Sequence, residues 1–233
     1  MELEQTSITV FGILVNEPMT AFTDLIVSFV CFRSFFILQR KKERENYYGI
    51  YCYFMLMMGF ATLYGGLVGH AFLYALSFSW KVPGWIISML SVGLAERAAI
   101  IHARPLMKNH IGNFISGANI FEVLGMIFVA VYTLNFFFVE VHATYGLLIV
   151  ASSFELFVLI KTKDKGSRII LCAVGVSALA ATVHLTKVPL FKWFNYLDLS
   201  HVLMAVSSYL FFDGMWQRNA WPRWFVAVLL LPV

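Results

Sequence analysis

Four of the six histidines in this chain, His70, His142, His184 and His201, fall at the same end of different apolar segments. Titratable side chains at a matched depth in lipid are costly and mark sites. Carboxylates join them at that end: Glu17 and Asp24 at the start of the first segment, Asp198 at the start of the last. Glu17 and Asp24 are spaced i, i+7, and Asp198 and His201 are spaced i, i+3, so each pair shares one helical face. Imidazole plus carboxylate is a ligand set for zinc or another borderline metal. A metal with an open coordination position polarises a carbonyl and lowers the pKa of its water to about 7. His70, His201, Asp24 and Asp198 are therefore candidate ligands, and Glu17 or an aspartate left unligated is a candidate general base on the activated water. His70 carries most weight because apolar residues flank it on both sides. His142 and His184 lie close to segment ends, where water is available, and weigh less.

These residues need elements to hold them, and composition says which. The chain has 233 residues, 60% hydrophobic and only 13% charged, with 23 phenylalanines. Soluble domains are about 25% charged. One core of this size cannot hide so much apolar surface, so the expected solvent is lipid. The expectation is a single integral membrane domain over residues 1–233, multi-pass, with membrane lipid as its partner. Bacterial inner membrane and eukaryotic endomembrane are equally compatible with it. Glu2 and Glu4 occupy the N-terminus without an early Lys or Arg, so no signal-peptide n-region is present and the first apolar segment is expected to persist as a helix. Cys31, Cys52 and Cys172 sit inside apolar segments without a CxxC pairing and read as small hydrophobes. The net charge of +4 is spread over short loops, which excludes a nucleic-acid face.

A span needs about 20 apolar residues. Seven segments meet that length, at roughly 19–39, 48–76, 83–103, 113–138, 141–161, 167–187 and 195–216. KKEREN (41–46), SWKVPG (79–84), ARPLMKNHIGN (103–113), KTKDKGS (161–167) and TKVPLFKW (186–193) separate them. With the N-terminus outside, Arg40, Lys41, Lys42, Arg44, Arg104, Lys108, Lys161, Lys163, Lys165, Arg168, Arg218 and Arg223 fall inside. Only Lys81, Lys187 and Lys192 fall outside. The split of twelve to three obeys the positive-inside rule, and an even number of spans would spoil it. The expected fold is all-α: a seven-transmembrane helical bundle, N-terminus outside and C-terminus cytoplasmic. The aromatic tail with Trp216, Trp221 and Trp224 reads as an interfacial anchor.

A second polar set lies deeper or toward the inside: Arg33, Glu96, Arg97, Glu122 and Glu155. Charges in lipid are normally paired, and Arg33 is placed to pair with Glu96, Glu122 or Glu155. The alternative is a proton or ion path through these carboxylates. Gly59, Gly65, Gly66 and Gly69 crowd the second segment and read as close helix packing. No Walker sequence, HExxH or Ser-His-Asp order occurs. The last segment has no lysine, which excludes retinal Schiff-base chemistry of the microbial-rhodopsin kind.

GGLVGHAFLY (65–74), SHVLMAVSSYLFFDG (200–214) and NEPMTAFTD (16–24) together resemble the CREST superfamily, which includes alkaline ceramidases and progestin and adipoQ receptors. The resemblance covers about a sixth of the chain. It implies a seven-helix membrane fold, zinc held by three histidines, and hydrolysis of a lipid amide. His70 matches the second-helix ligand, and His201 matches the second His of a last-helix HxxxH pair. Leu197 stands where the first His of that pair would be, with Asp198 one residue on. Gly66 stands where the family has a Ser, and the third-helix Asp has no counterpart, Ser88 and Ser91 being the nearest polar residues.

The leading expectation that the resemblance implies is a metal-dependent membrane hydrolase, a zinc-dependent lipid amidase in type, acting on a lipid amide or ester from the outer leaflet, with His70 and His201 as ligands, Asp198 or Asp24 as the third, and Glu17 or the remaining aspartate as general base. One alternative is a non-catalytic seven-helix sensor or ligand-binding protein, which Gly66 and Leu197 favour. The other is a small ion- or proton-coupled transporter using Glu96, Glu122 and Glu155. The absence of internal repeats disfavours the transporter.

Overall fold

Apolar residues on every side of a helix leave it no soluble face, and this chain folds accordingly into long helical rods. The computed structural model describes residues 6–41, 45–187 and 190–218. Helix α1 is Pro18–Leu38. Helix α2, Asn46–Tyr64, runs on through a π-helical turn, Gly65–Ala71. Helices α3 and α4 are Val82–Ala103 and Asn109–Thr133. Helix α5, Phe137–Thr144, a second π-helical turn, Tyr145–Ala151, and α6, Ser152–Thr162, form one rod. Helices α7, Lys165–Thr186, and α8, Tyr196–Gln217, complete the set.

Six rods are long and apolar enough to cross a membrane: Pro18–Leu38, Asn46–Ala71, Phe78–Leu106, Asn109–Thr133, Phe137–Thr162 and Lys165–Thr186. Their polarity is inverted relative to a soluble bundle. Along α4, Phe114, Phe121 and Phe128 repeat every seven residues and are 77%, 79% and 67% exposed. The opposite face buries Gly112, Ser116, Asn119 and Val123. A stripe of phenylalanine facing outward and small or polar residues facing inward suits a hydrocarbon solvent.

Small residues and serines hold the rods together. Ser28 donates to the Gly59 carbonyl at 2.9 Å, Ser91 to Phe54 at 3.0 Å and Ser207 to Ala173 at 2.9 Å. Such interhelical bonds average about 0.6 kcal/mol in lipid. Gly166 and Gly214 let α7 and α8 touch, since a Cβ on Gly214 would lie 3.0 Å from the Gly166 carbonyl oxygen.

The buried ion pair differs from the sequence expectation. Among the described residues Arg33 makes no ion pair with Glu96, Glu122 or Glu155. Arg218, just past α8, reaches Glu155 at 2.6 Å instead. Tyr51 donates to the same carboxylate at 2.8 Å and Ser167 at 2.6 Å, with His102 3.4 Å away. The guanidinium also stacks over Tyr47 and Tyr51, 5.1 Å from each ring. Glu155 is fully buried and completely partnered, which is a lock rather than a relay.

Three boundaries differ from the apolar pattern. The second rod stops at Ala71 and is followed by the short 3₁₀ turns Leu73–Ala75 and Phe78–Lys81. Helix α4 starts and stops four or five residues earlier than its apolar run. Leu134 turns left-handed (φ 50°), and the Asn135 side chain accepts from the Phe137 amide at 3.0 Å, which starts α5 inside a run of phenylalanines. A hairpin, β1 Ser7–Val10 with β2 Ile13–Asn16, precedes α1. Phe11 (φ 50°) and Gly12 (φ 80°) form its two-residue turn, the type that matches strand twist. The alternation Ser7-Ile8-Thr9-Val10 ahead of Phe11-Gly12 and the apolar run Ile13-Leu14-Val15 after it are the strand signals here. Trp221 and Trp224, and with them the expected aromatic anchor, lie outside the described residues, as do Lys42, Arg44 and Arg223; Trp216 is half exposed at the end of α8.

Candidate metal centre

The start of α1, the end of the second rod and the start of α8 meet at one end of the bundle. The hairpin fixes the approach to α1: the Glu17 amide bonds the Thr6 carbonyl at 2.8 Å. Glu17 is left-handed (φ 44°), and Pro18 then opens the helix. A non-glycine residue held at positive φ stores strain of about 1–3 kcal/mol, and such residues cluster at functional sites. That turn aims the Glu17 carboxylate at His70, which donates from Nδ1 at 2.6 Å. This hydrogen bond holds the Glu17 carboxyl below its ordinary pKa, against a smaller upward push from burial.

His201 is fixed in the same manner. Thr23 gives its proton to the Thr20 carbonyl at 3.0 Å. Its oxygen is then an acceptor for His201 Nδ1, 3.1 Å away. Both imidazoles therefore carry their proton on Nδ1 and turn a bare Nε2 inward. Between them stands Asp24. Its Oδ2 lies 3.8 Å from His70 Nε2, and its Oδ1 lies 3.6 Å from His201 Nε2. The two rings are 6.1 Å apart at 70° to one another. The three ligand atoms lie within 4.8 Å of one another.

These residues fit zinc. Bonds of 2.0–2.1 Å in a tetrahedron put neighbouring ligand atoms about 3.3 Å apart, a few tenths of an ångström inside the spacings to Asp24. The donors are two neutral nitrogens and one carboxylate, and each ring proton is held by an oxygen behind it, as in known histidine metal sites. Side-chain exposures of 18% for His70 and 12% for His201 leave the centre an open side.

Two glycines make the space. A Cβ on Gly66 would lie 3.0 Å from both the Ala21 carbonyl oxygen and the Asp24 Cβ, and one on Gly65 would lie 3.4 Å from Asp24 Oδ2. Gly66 is where the resemblance places a serine, and here the first helix fills that space with Asp24. Gly66→Val is therefore expected to force α1 away from the second rod. The measurable outcome is a loss of about 1–3 kcal/mol in unfolding stability together with weaker metal retention.

The remaining sequence candidates go elsewhere. Asp198 is buried but committed: it accepts from Thr20 at 2.8 Å and from the Asn195 amide at 2.6 Å, closing a capping box at the start of α8. Of the two candidate aspartates, Asp24 is the one that faces both imidazoles. Glu17 sits behind His70 rather than beside the open side. His184 bonds Glu140 at 3.0 Å at the rim. His142 lies fully buried in a second group with Glu96 and Glu122. Depth alone, which sequence order supplies, does not separate these histidines; the rotation of each helix does.

A family model described as Family of unknown function (DUF6962) matches residues 19–220, from the second residue of α1 to just past the end of α8. No curated protein and no solved structure matches the chain.

Proposed function

The chain belongs to the family of unknown function DUF6962, and we propose for it a metal-dependent membrane hydrolase that cleaves a lipid amide or ester. One observation carries the proposal: two Nε2 atoms from distant helices converge on the Asp24 carboxylate while both Nδ1 atoms are tied down by Glu17 and Thr23. The resemblance of GGLVGHAFLY and SHVLMAVSSYLFFDG to CREST sequences supports the same reading.

His70, His201 and Asp24 would hold the zinc. Zinc, when bound, supplies polarisation of the scissile carbonyl and acidification of water. Asp24 turns one oxygen to each imidazole, so one carboxylate oxygen would serve as a ligand and the other would be placed to hold a proton. Glu17 keeps the His70 ring oriented and basic through the Nδ1 bond. The arrangement belongs to a seven-span bundle with its N-terminus outside, as the twelve-to-three split of basic residues supports. Asp24 then lies about 9 Å below the start of α1, within reach of a headgroup linkage from the outer leaflet. The hairpin above exposes Phe11, with Val10 and Ile13 beside it, an apolar surface suited to lipid.

The test uses the full chain in lipid nanodiscs, stripped by chelator, reloaded with zinc, and offered N-acyl lipid amides and lipid esters. Expected is turnover that appears with zinc and vanishes with chelator. Zinc retention without turnover of any of these substrates would favour the non-catalytic sensor and sink the hydrolase. Glu17→Gln is expected to weaken zinc affinity by about 10–100-fold, the usual cost of losing a carboxylate behind a ligating imidazole, measured by competition with a chromophoric chelator.

A further inference from the structure

Away from the outer centre, α3, α4 and the α5–α6 rod bury a second set of lone pairs. His142 bonds the Met89 carbonyl from Nε2 at 3.0 Å, which assigns the proton to that nitrogen. Its Nδ1 then faces Glu122 Oε1 at 2.8 Å and Glu96 Oε1 at 4.0 Å. Asn119 donates to the other Glu96 oxygen at 2.7 Å. Glu96 is 1% exposed, yet its Oε1 has no hydrogen-bond partner, nor does Glu122 Oε2. Among the described residues His142 is the one basic side chain within 4.0 Å of either carboxylate. Arg97, next in sequence to Glu96, points away to the Ser116 carbonyl.

Two carboxylates and one imidazole in a low-dielectric interior need positive charge. Protonating His142 satisfies Glu122 but leaves Glu96 Oε1 facing nothing and one negative charge uncompensated. A divalent cation among the three atoms would neutralise both acids with His142 neutral, and it would take up the orphaned Glu96 Oε1. The groups behind it are already in place: the Met89 carbonyl holds the imidazole proton, and Asn119 holds the second Glu96 oxygen. Gly146, in the second π-helical turn, gives the Glu96 carboxylate its room, since any Cβ there would collide with Oε1. Glu96, Asn119 and Glu122 also line a cavity of about 400 Å³ that Tyr145 and Ser153 border, which leaves room for further ligands.

We propose that Glu96, Glu122 and His142 form a second divalent-metal site, independent of the outer centre and selective for a first-row transition ion. One nitrogen with carboxylate oxygens suits Mn²⁺, Fe²⁺, Co²⁺ or Zn²⁺ rather than a soft thiolate-seeking ion.

Cobalt(II) is the probe. The full chain in detergent micelles is stripped, saturated with cobalt chloride and desalted, and the metal is counted per chain by mass spectrometry. His70→Ala, which leaves the inner cluster untouched, is expected to retain one cobalt, with a visible d–d band. Glu96→Gln, nearly isosteric, is expected to lose that cobalt, and His70→Ala/Glu96→Gln is expected to retain none. A His70→Ala protein without cobalt would overturn the site and mean that protons alone neutralise the acids. So would a Glu96→Gln protein that binds as much cobalt as the wild type. If the outer reading alone fails, the wild type still holds one cobalt, insensitive to His70→Ala and lost with Glu96→Gln.

Discussion

Asp24→Ala is expected to abolish binding at the proposed outer zinc site and to lower the proposed lipid hydrolysis by about 10³-fold, equivalent to about 4 kcal/mol of transition-state stabilisation. The size follows from geometry, because Asp24 is the carboxylate that faces both bare imidazole nitrogens. His70→Ala and His201→Ala are expected to give losses of the same order. The informative comparison is Asp198→Ala. Asp198 caps α8 and accepts from Thr20, so its loss should cost about 1 kcal/mol of stability and leave zinc affinity within a few-fold of wild type. Zinc per chain, turnover and unfolding midpoint measured on the four proteins separate a ligand from a cap. If Asp198→Ala loses the metal and Asp24→Ala keeps it, the assignment of the carboxylate is reversed.

Glu155→Ala has the second large effect, on folding rather than chemistry. It strands the buried Arg218 guanidinium, whose nearest ionic partner is that carboxylate at 2.6 Å. Breaking a buried pair by removing one member costs about 3–5 kcal/mol, whereas replacing both by apolar residues of similar size is often neutral. Arg218→Ala should therefore be similarly damaging, and Glu155→Leu/Arg218→Met should recover most of the loss. Denaturant unfolding in micelles reads the wild type and the three variants. Equal destabilisation in the double variant and the worse single would show that the pair acts through something other than its charges.

The membrane-compatible helices and the shared depth of His70 and His201 were legible in the sequence, because hydropathy reports spans and span order reports depth; the pairing of these two histidines came from the resemblance of GGLVGHAFLY and SHVLMAVSSYLFFDG. The choice between Asp24 and Asp198 was not legible. Both lie at the correct depth, and only the rotation of α1 against α8, set by Gly65, Gly66 and the Thr20–Asp198 bond, decides which faces inward. Arg218 as the partner of Glu155 was equally hidden, since it lies just past α8, where a loop residue is expected to meet water. The α4–α5 boundary hung on one polar residue, Asn135, within an apolar run. The hairpin carried a usable signal in the alternation of Ser7-Ile8-Thr9-Val10 ahead of Phe11-Gly12.

Both ligand clusters touch a stretch of widened helix: His70 lies in Gly65–Ala71, and Glu96 rests on Gly146 of Tyr145–Ala151. A π-turn holds one residue more than the α-turn it replaces. Each turn therefore works as a phase adjuster, setting the azimuth of the downstream residues without altering the sequence pattern upstream. Rewinding either stretch as ordinary α-helix with every residue kept would swing all later positions by about 100°. In the second rod that swing would turn His70 away from Asp24, so the register of one backbone coil governs whether the proposed ligands converge.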